Sequence, residues 1–122
     1  EHVYLTEGTY VVILRVTDSA DLIGTTSTTV TVASAGPTAA FEFLPTTPTS
    51  GQEVTFNASG SEPGTGRTIT EYSWDFGDMT TVMSAIPTVK HTFATSQTFV
   101  VRLTITNSKD ETDTVVKEVT VN

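Results

Sequence analysis

The sequence predicts an all-β fold. Three observations carry that expectation: 27 threonines and 15 valines among 122 residues, runs in which apolar and polar side chains alternate, and no stretch of ten or more residues with an apolar stripe at helical spacing. β-Branched side chains suit a pleated surface and lose rotamer freedom in a helix. Alternation with a period of two marks a strand that buries one face.

From the N-terminus, residues 1–34 read as two strands, the first carrying Tyr10, Val12, Leu14 and Val16 on one face. Ala33-Ser34-Ala35-Gly36-Pro37 follows as a short semi-rigid linker, because proline fixes one φ angle. Strands are expected at 38–44, where Phe41 and Phe43 share a face, and at 53–58, which carries Val54 and Phe56. Another is expected at 69–76, with Tyr72, Trp74 and Phe76 on one face and Glu71, Ser73 and Asp75 on the other. The clearest alternation sets Phe99, Val101, Leu103 and Ile105 against Val100, Arg102, Thr104 and Thr106. A weaker version sets Val115, Lys117, Val119 and Val121 against Thr114, Val116, Glu118 and Thr120.

The chain also repeats itself. At an offset of 89 residues, His2 falls on His91, Tyr4 on Phe93, Thr9-Tyr10-Val11-Val12 on Thr98-Phe99-Val100-Val101, Leu14 on Leu103 and Asp21 on Asp110. There are 13 identities over 32 ungapped positions, against roughly 2 to 4 by chance in so biased a composition. Residues 1–34 are therefore expected to be the C-terminal third of one module, and 35–122 a complete second copy.

Several function classes are excluded. Six basic against 14 acidic residues give a net charge of −8, and scattered Lys and Arg do not support binding to nucleic acid or an anionic membrane. No apolar run approaches the 18 residues of a membrane helix. Cysteine is absent, which removes disulfides, thiolate metal sites and thiol nucleophiles together. His2 and His91 are the only histidines, and they occupy one repeated slot, the pattern of a structural residue. No nucleophile elbow, zincin motif or phosphate loop is present, so the chain is not read as an enzyme.

Tyr72-Ser73-Trp74-Asp75-Phe76-Gly77-Asp78, then His91-Thr92-Phe93 and Thr98 to Asn107, resembles the PKD (polycystic kidney disease) repeat, with its Trp-Asp-Phe-Gly-Asp-Gly hallmark and His-x-aromatic step. His2-Val3-Tyr4 and Gly8 to Asp18 resemble the latter half of the same repeat. Met79 stands at the last glycine of the hallmark, Gln97 at another glycine, and Glu62-Pro63-Gly64-Thr65-Gly66 where many members carry Asp-Pro-Asp-Gly. The resemblance implies an immunoglobulin-like β-sandwich and an extracellular or cell-surface setting. Trp74, Asp75, Phe76, Gly77, Asp78, His91 and Phe93 are then its structural motif, with Trp74 central to the core.

The expected function is a non-catalytic repeat module acting as a spacer, assembly or protein–protein interaction unit in a tandem or filamentous array, such as serves cell adhesion. The alternative is an accessory binding module, for polysaccharide or calcium, of a secreted hydrolase. Aromatic residues fall on core parity, leaving few rings for a sugar. No cofactor is expected, with calcium the one alternative: Glu62 and Asp78 are its candidate ligands, since Ca²⁺ takes clustered oxygens. Asn57-Ala58-Ser59 is a glycosylation sequon. Residues 1–34 expose an apolar face, so neighbouring repeats of the same or other chains are the expected partners, with strand complementation through that hairpin as the sharper form.

Overall fold

The structure, a computed structural model, describes residues 1–5, 7–33 and 35–122. These divide into two compact units, Glu1–Ala35 and Gly36–Asn122. The expected boundary at Ser34 lies outside the described residues. Among those residues there are nine strands, all in antiparallel sheets, and no helix.

The first unit is a hairpin of β1 (Gly8–Thr17) and β2 (Ile23–Val32). Its turn is built on Asp18, whose Oδ1 accepts hydrogen bonds from the amides of Ala20 at 2.7 Å and Leu22 at 3.0 Å. A left-handed Asp21, φ 62°, completes it, a conformation that Asp tolerates better than most residues.

The second unit is a sandwich. One sheet has the order β3 (Glu42–Leu44), β4 (Glu53–Asn57), β7 (Thr88–Thr92). The other has the order β6 (Thr81–Ser84), β5 (Ile69–Asp75), β8 (Thr98–Asn107), β9 (Thr112–Thr120). Alternating side chains from both sheets meet between them: Val54 and Phe56 from one, Trp74, Val101, Leu103, Ile105 and Val119 from the other, all fully buried. Trp74 sits at the centre, 5.2 Å from the Phe41 ring, 5.7 Å from Phe56 and stacked parallel to Phe76 at 6.2 Å. Burying a ring of that size contributes about 4–6 kcal/mol as an upper estimate.

The two hairpins β1–β2 and β8–β9 share one design. Thr9 faces Thr31 as Thr98 faces Thr120, and Thr17 faces Ile23 as Thr106 faces Thr112, the same register at an offset of 89. Asn107 repeats the Asp18 turn, its Oδ1 accepting from Lys109 and Glu111, with Asp110 at φ 60°. The aromatic stack repeats too. His91 meets Phe93 edge-on at 4.7 Å and Phe93 lies 4.3 Å from Phe99, while His2 meets Tyr4 edge-on at 4.6 Å and Tyr4 lies 4.4 Å from Tyr10.

Four side chains then tie β8–β9 to the rest of its sandwich. Asn107 Nδ2 donates to Pro63 O at 2.9 Å, and Glu111 Oε2 lies 3.1 Å from Arg67 Nε. Asp113 Oδ2 accepts from the amide of Ala39 at 2.7 Å, and Lys117 Nζ donates to Phe41 O at 2.6 Å. At the offset of 89 the hairpin carries Asp18, Leu22, Gly24 and Thr28 in those places.

Two strand expectations change. The strand expected at 38–44 is regular only over Glu42–Leu44; Thr38 makes a lone bridge to Glu62, and between them Ala39 and Phe41 bond side chains of β9. The sequence reading also named no strand at β6 or β7. β6 is short and mostly exposed, and β7 carries only Val89 as an apolar residue, so neither has a periodic signal.

Candidate functional site

The Trp-Asp-Phe-Gly-Asp segment ends β5 and makes the turn into β6. Asp75 Oδ1 accepts from the Gly77 amide at 3.0 Å, and the Phe76 amide donates to Thr80 O at 3.1 Å. Gly77 is left-handed, φ 76°, and its α-carbon packs so close to β8 that a Cβ there would stand 2.6 Å from Val100 O. Only glycine meets both conditions. Met79 is also left-handed, φ 70°, with its side chain fully exposed.

The turn is clamped to β7 through Asp78. Its Oδ2 lies 2.7 Å from His91 Nε2, while Oδ1 accepts from the Thr80 amide at 3.1 Å and from the Thr80 hydroxyl. The His91 ring stacks on Phe76 at 4.0 Å and stands edge-on to Phe93. Partial burial pushes the Asp78 carboxyl up, but hydrogen bonds from Thr80 and His91 outweigh it and hold the group below its ordinary 3.8. The Thr80 hydroxyl bonds the carboxylate and lies 3.5 Å from the imidazole, so the group orders the turn.

A different surface surrounds edge strand β3, where three shallow depressions of about 290, 150 and 370 Å³ all include Glu42. Phe43, Leu44 and Asn57 contribute walls, and Lys117 reaches in from β9 with its ammonium 5.3 Å from the Phe41 ring centroid. Lys117 shares the inward parity of Val115 and Val119 and so guards the gap between the sheet edges, a known way of protecting an edge strand. The hairpin exposes both faces of β1, with Val11 and Ile13 at 64% and 65% on one and the inward-parity residues on the other. Val12, Leu14 and Val16 are 40%, 58% and 58% exposed, where Val101, Leu103 and Ile105 are sealed.

The family model described as the PKD domain matches residues 34–121. The chain belongs to the PKD domain family. Solved structures agree with that fold. The PKD1 domain from Vibrio cholerae metalloprotease PrtV is 26% identical with a TM-score of 0.60, over 72% of this chain and 99% of that one. The PKD1 domain of Vibrio anguillarum Epp is 23% identical with a TM-score of 0.61, over 74% and 98%. A structure from work on the promiscuous specificity of carbohydrate-binding modules of the β-sandwich superfamily is 32% identical with a TM-score of 0.69. That match covers 72% of this chain, which spans only 35% of the other's length. No curated protein sequence matches the chain.

Within the PKD sandwich, Asp75, Phe76, Gly77, Asp78, His91 and Phe93 meet at the β5–β6 turn and the core beside it, while Trp74 lies at the core's centre. Glu62 lies in the β4–β5 connection, bridged to Thr38, whereas Asp78 lies beyond the other end of β5. The seven-residue β5, about 20 Å long, runs between those two connections. Among the described residues no group of three or more His, Asp or Glu is placed to hold a metal. Asn57 is exposed at the end of β4, its Oδ1 accepting from the Ser59 amide at 2.9 Å. Sequence reasoning missed Glu42 and the inward Lys117; a lysine at core parity among valines was the one available signal.

Proposed function

We propose that residues 35–122 are a non-catalytic extracellular module and residues 1–34 the closing hairpin of a preceding one, together a slice of a tandem array in a cell-surface or secreted protein. Its work is spacing, assembly or protein–protein contact, with neighbouring repeats as partners. The observation that carries this reading is the shared register, turn and aromatic stack of β1–β2 and β8–β9 at an offset of 89. PKD domains are typically non-catalytic and commonly extracellular, and the reading requires no cofactor. Chains of two and four copies of residues 35–122, joined by the 33–37 linker, test it by small-angle scattering. The maximum dimension should grow in proportion to copy number; compact particles would refute the spacer role.

A second reading is favoured by the likeness to carbohydrate-binding modules and by the depressions lined by Glu42 and Lys117. Here the module binds a polysaccharide beside β3. Co-sedimentation with insoluble polysaccharides, lost in Leu44→Ala and Lys117→Met, is the expected result; no retention on any of them removes the reading.

A further inference from the structure

We infer that β6 is a self-pairing edge: two copies of this chain join β6 to β6 about a two-fold axis, so that their four-stranded sheets become one. The sandwich has four edge strands. β3 carries Glu42, β7 carries Lys90, and β9 carries Asp113, Lys117 and Glu118, whereas β6 reads Thr81-Val82-Met83-Ser84 and carries no charge. Charge on an edge strand is the usual guard against pairing with another chain. The second unit exposes seven large apolar side chains, and four of them, Met79, Val82, Met83 and Ile86, lie on β6 or its flanks. An unguarded backbone and an apolar patch therefore coincide at one edge.

The ladder fixes which backbone groups face outward there. The Phe76 amide donates to Thr80 O, and the register continues with Trp74 opposite Val82 and Tyr72 opposite Ser84. Bonded pairs alternate along an antiparallel ladder, so Thr80, Val82 and Ser84 turn their amides and carbonyls to β5. Thr81 and Met83 turn theirs to the open side. A two-fold axis through the sheet preserves its faces, so residues of like parity must meet. Thr81 of one copy then stands opposite Met83 of the other, twice over, each pair exchanging two backbone hydrogen bonds. Val82 faces Val82 between them.

Charge and closure both favour a second copy as the occupant. The chain carries −8, so two copies repel over most of their surface, and an uncharged edge is where they meet at least cost. β1 of another copy would pair head to tail and leave an unpaired β6 at the end of every assembly, whereas β6 on β6 closes. A strand as short as β6 makes a small interface, so the dimer is weak and is sought at about 0.1–1 mM.

The test is sedimentation equilibrium of the 122-residue chain over that range, with single cysteines introduced into a chain that has none. A reversible dimer is expected. Val82→Cys should cross-link to itself under mild oxidation, because opposed residues that share no hydrogen bond stand about 4.5 Å apart between α-carbons. Thr81→Cys, out of step with its own copy, should not. Met83→Pro removes an outward amide and should weaken the dimer about 10- to 100-fold, while Met83→Val keeps it and should pair like the parent chain. The cysteine variants keep every backbone amide and decide the matter if Met83→Pro does not fold.

A monomer at about 1 mM overturns the inference. So does a dimer in which Val82→Cys cross-links no faster than Thr81→Cys, and so does growth past the dimer, which would assign the edge to β1 of another copy. The contact needs only the second unit, so the scattering of tandem chains tests the array reading separately.

Discussion

Replacing Gly77 with alanine isolates what the turn after Trp74 demands of the backbone. The new Cβ would lie 2.6 Å from Val100 O, 3.1 Å from its N and 3.3 Å from its C, at φ 76°. Left-handed backbone costs a residue with a Cβ about 1–2 kcal/mol. Pushing β8 away from a backbone overlap adds about 1–3 kcal/mol, and the stiffer unfolded chain returns about 0.4–1 kcal/mol. The net loss is about 3 kcal/mol, or a fall in Tm of about 12–24 °C for a unit of this size. Trp74, the single tryptophan, reports unfolding by fluorescence in urea. Gly51→Ala is the control, because Gly51 has φ 79° but nothing within 4 Å of a Cβ; it should lose only about 1 kcal/mol. If Gly77→Ala costs no more than Gly51→Ala, the close approach to Val100 carries no energy and the reasoning fails.

Met79→Gly should raise stability by about 0.5–1 kcal/mol in the same urea assay, because it removes left-handed strain and a fully exposed side chain takes no packing with it. Asp78 is held below 3.8 in the folded state, so its contribution is full above that pH and is lost as pH falls through the folded value. Asp78→Asn should accordingly destabilise at pH 7, and the gap to the parent chain should narrow in acid melts below about pH 3.8. Lys117→Ala removes a charged donor from Phe41 O and should cost about 1.5–3 kcal/mol by chemical denaturation. Melting temperature should not differ between about 10 mM calcium and chelator, since a site of about 1 mM affinity would add about 1.4 kcal/mol and shift it by several degrees.

Most of the sandwich was legible because burial alternates with the pleat. Phe99, Val101, Leu103 and Ile105 are inward in the sequence pattern and in the structure, and the 89-residue repeat anticipated a hairpin whose register proves identical. The tethers were not legible. Asp113 looks like an ordinary solvated charge, and Lys117 is marked only by its core parity, until Ala39 and Phe41 are brought beside them across more than seventy residues. Met79 was visible as a departure from the hallmark glycine, but its positive φ belongs to the fold. Glu62 and Asp78 flank the strand expected at 69–76, and the length of that strand is what separates them.

Two hairpins of one register in a single polypeptide create a problem of identity, since both β1 and β8 present a suitable edge to β5 as the chain collapses. The stacked aromatics cannot discriminate, being the same in both. Asn107, Glu111, Asp113 and Lys117 can, because each finds a partner outside its own hairpin; Leu22, Gly24 and Thr28 offer no equivalent of the last three, and Asp18 keeps the turn-making oxygen of Asn107 but lacks its amide donor. A mis-docked β1–β2 would leave Arg67 without the Glu111 carboxylate and Ala39 and Phe41 without their side-chain partners. Those four contacts therefore serve as address labels: they tell the folding chain which of its two look-alike hairpins belongs where, and so suppress strand exchange between neighbours.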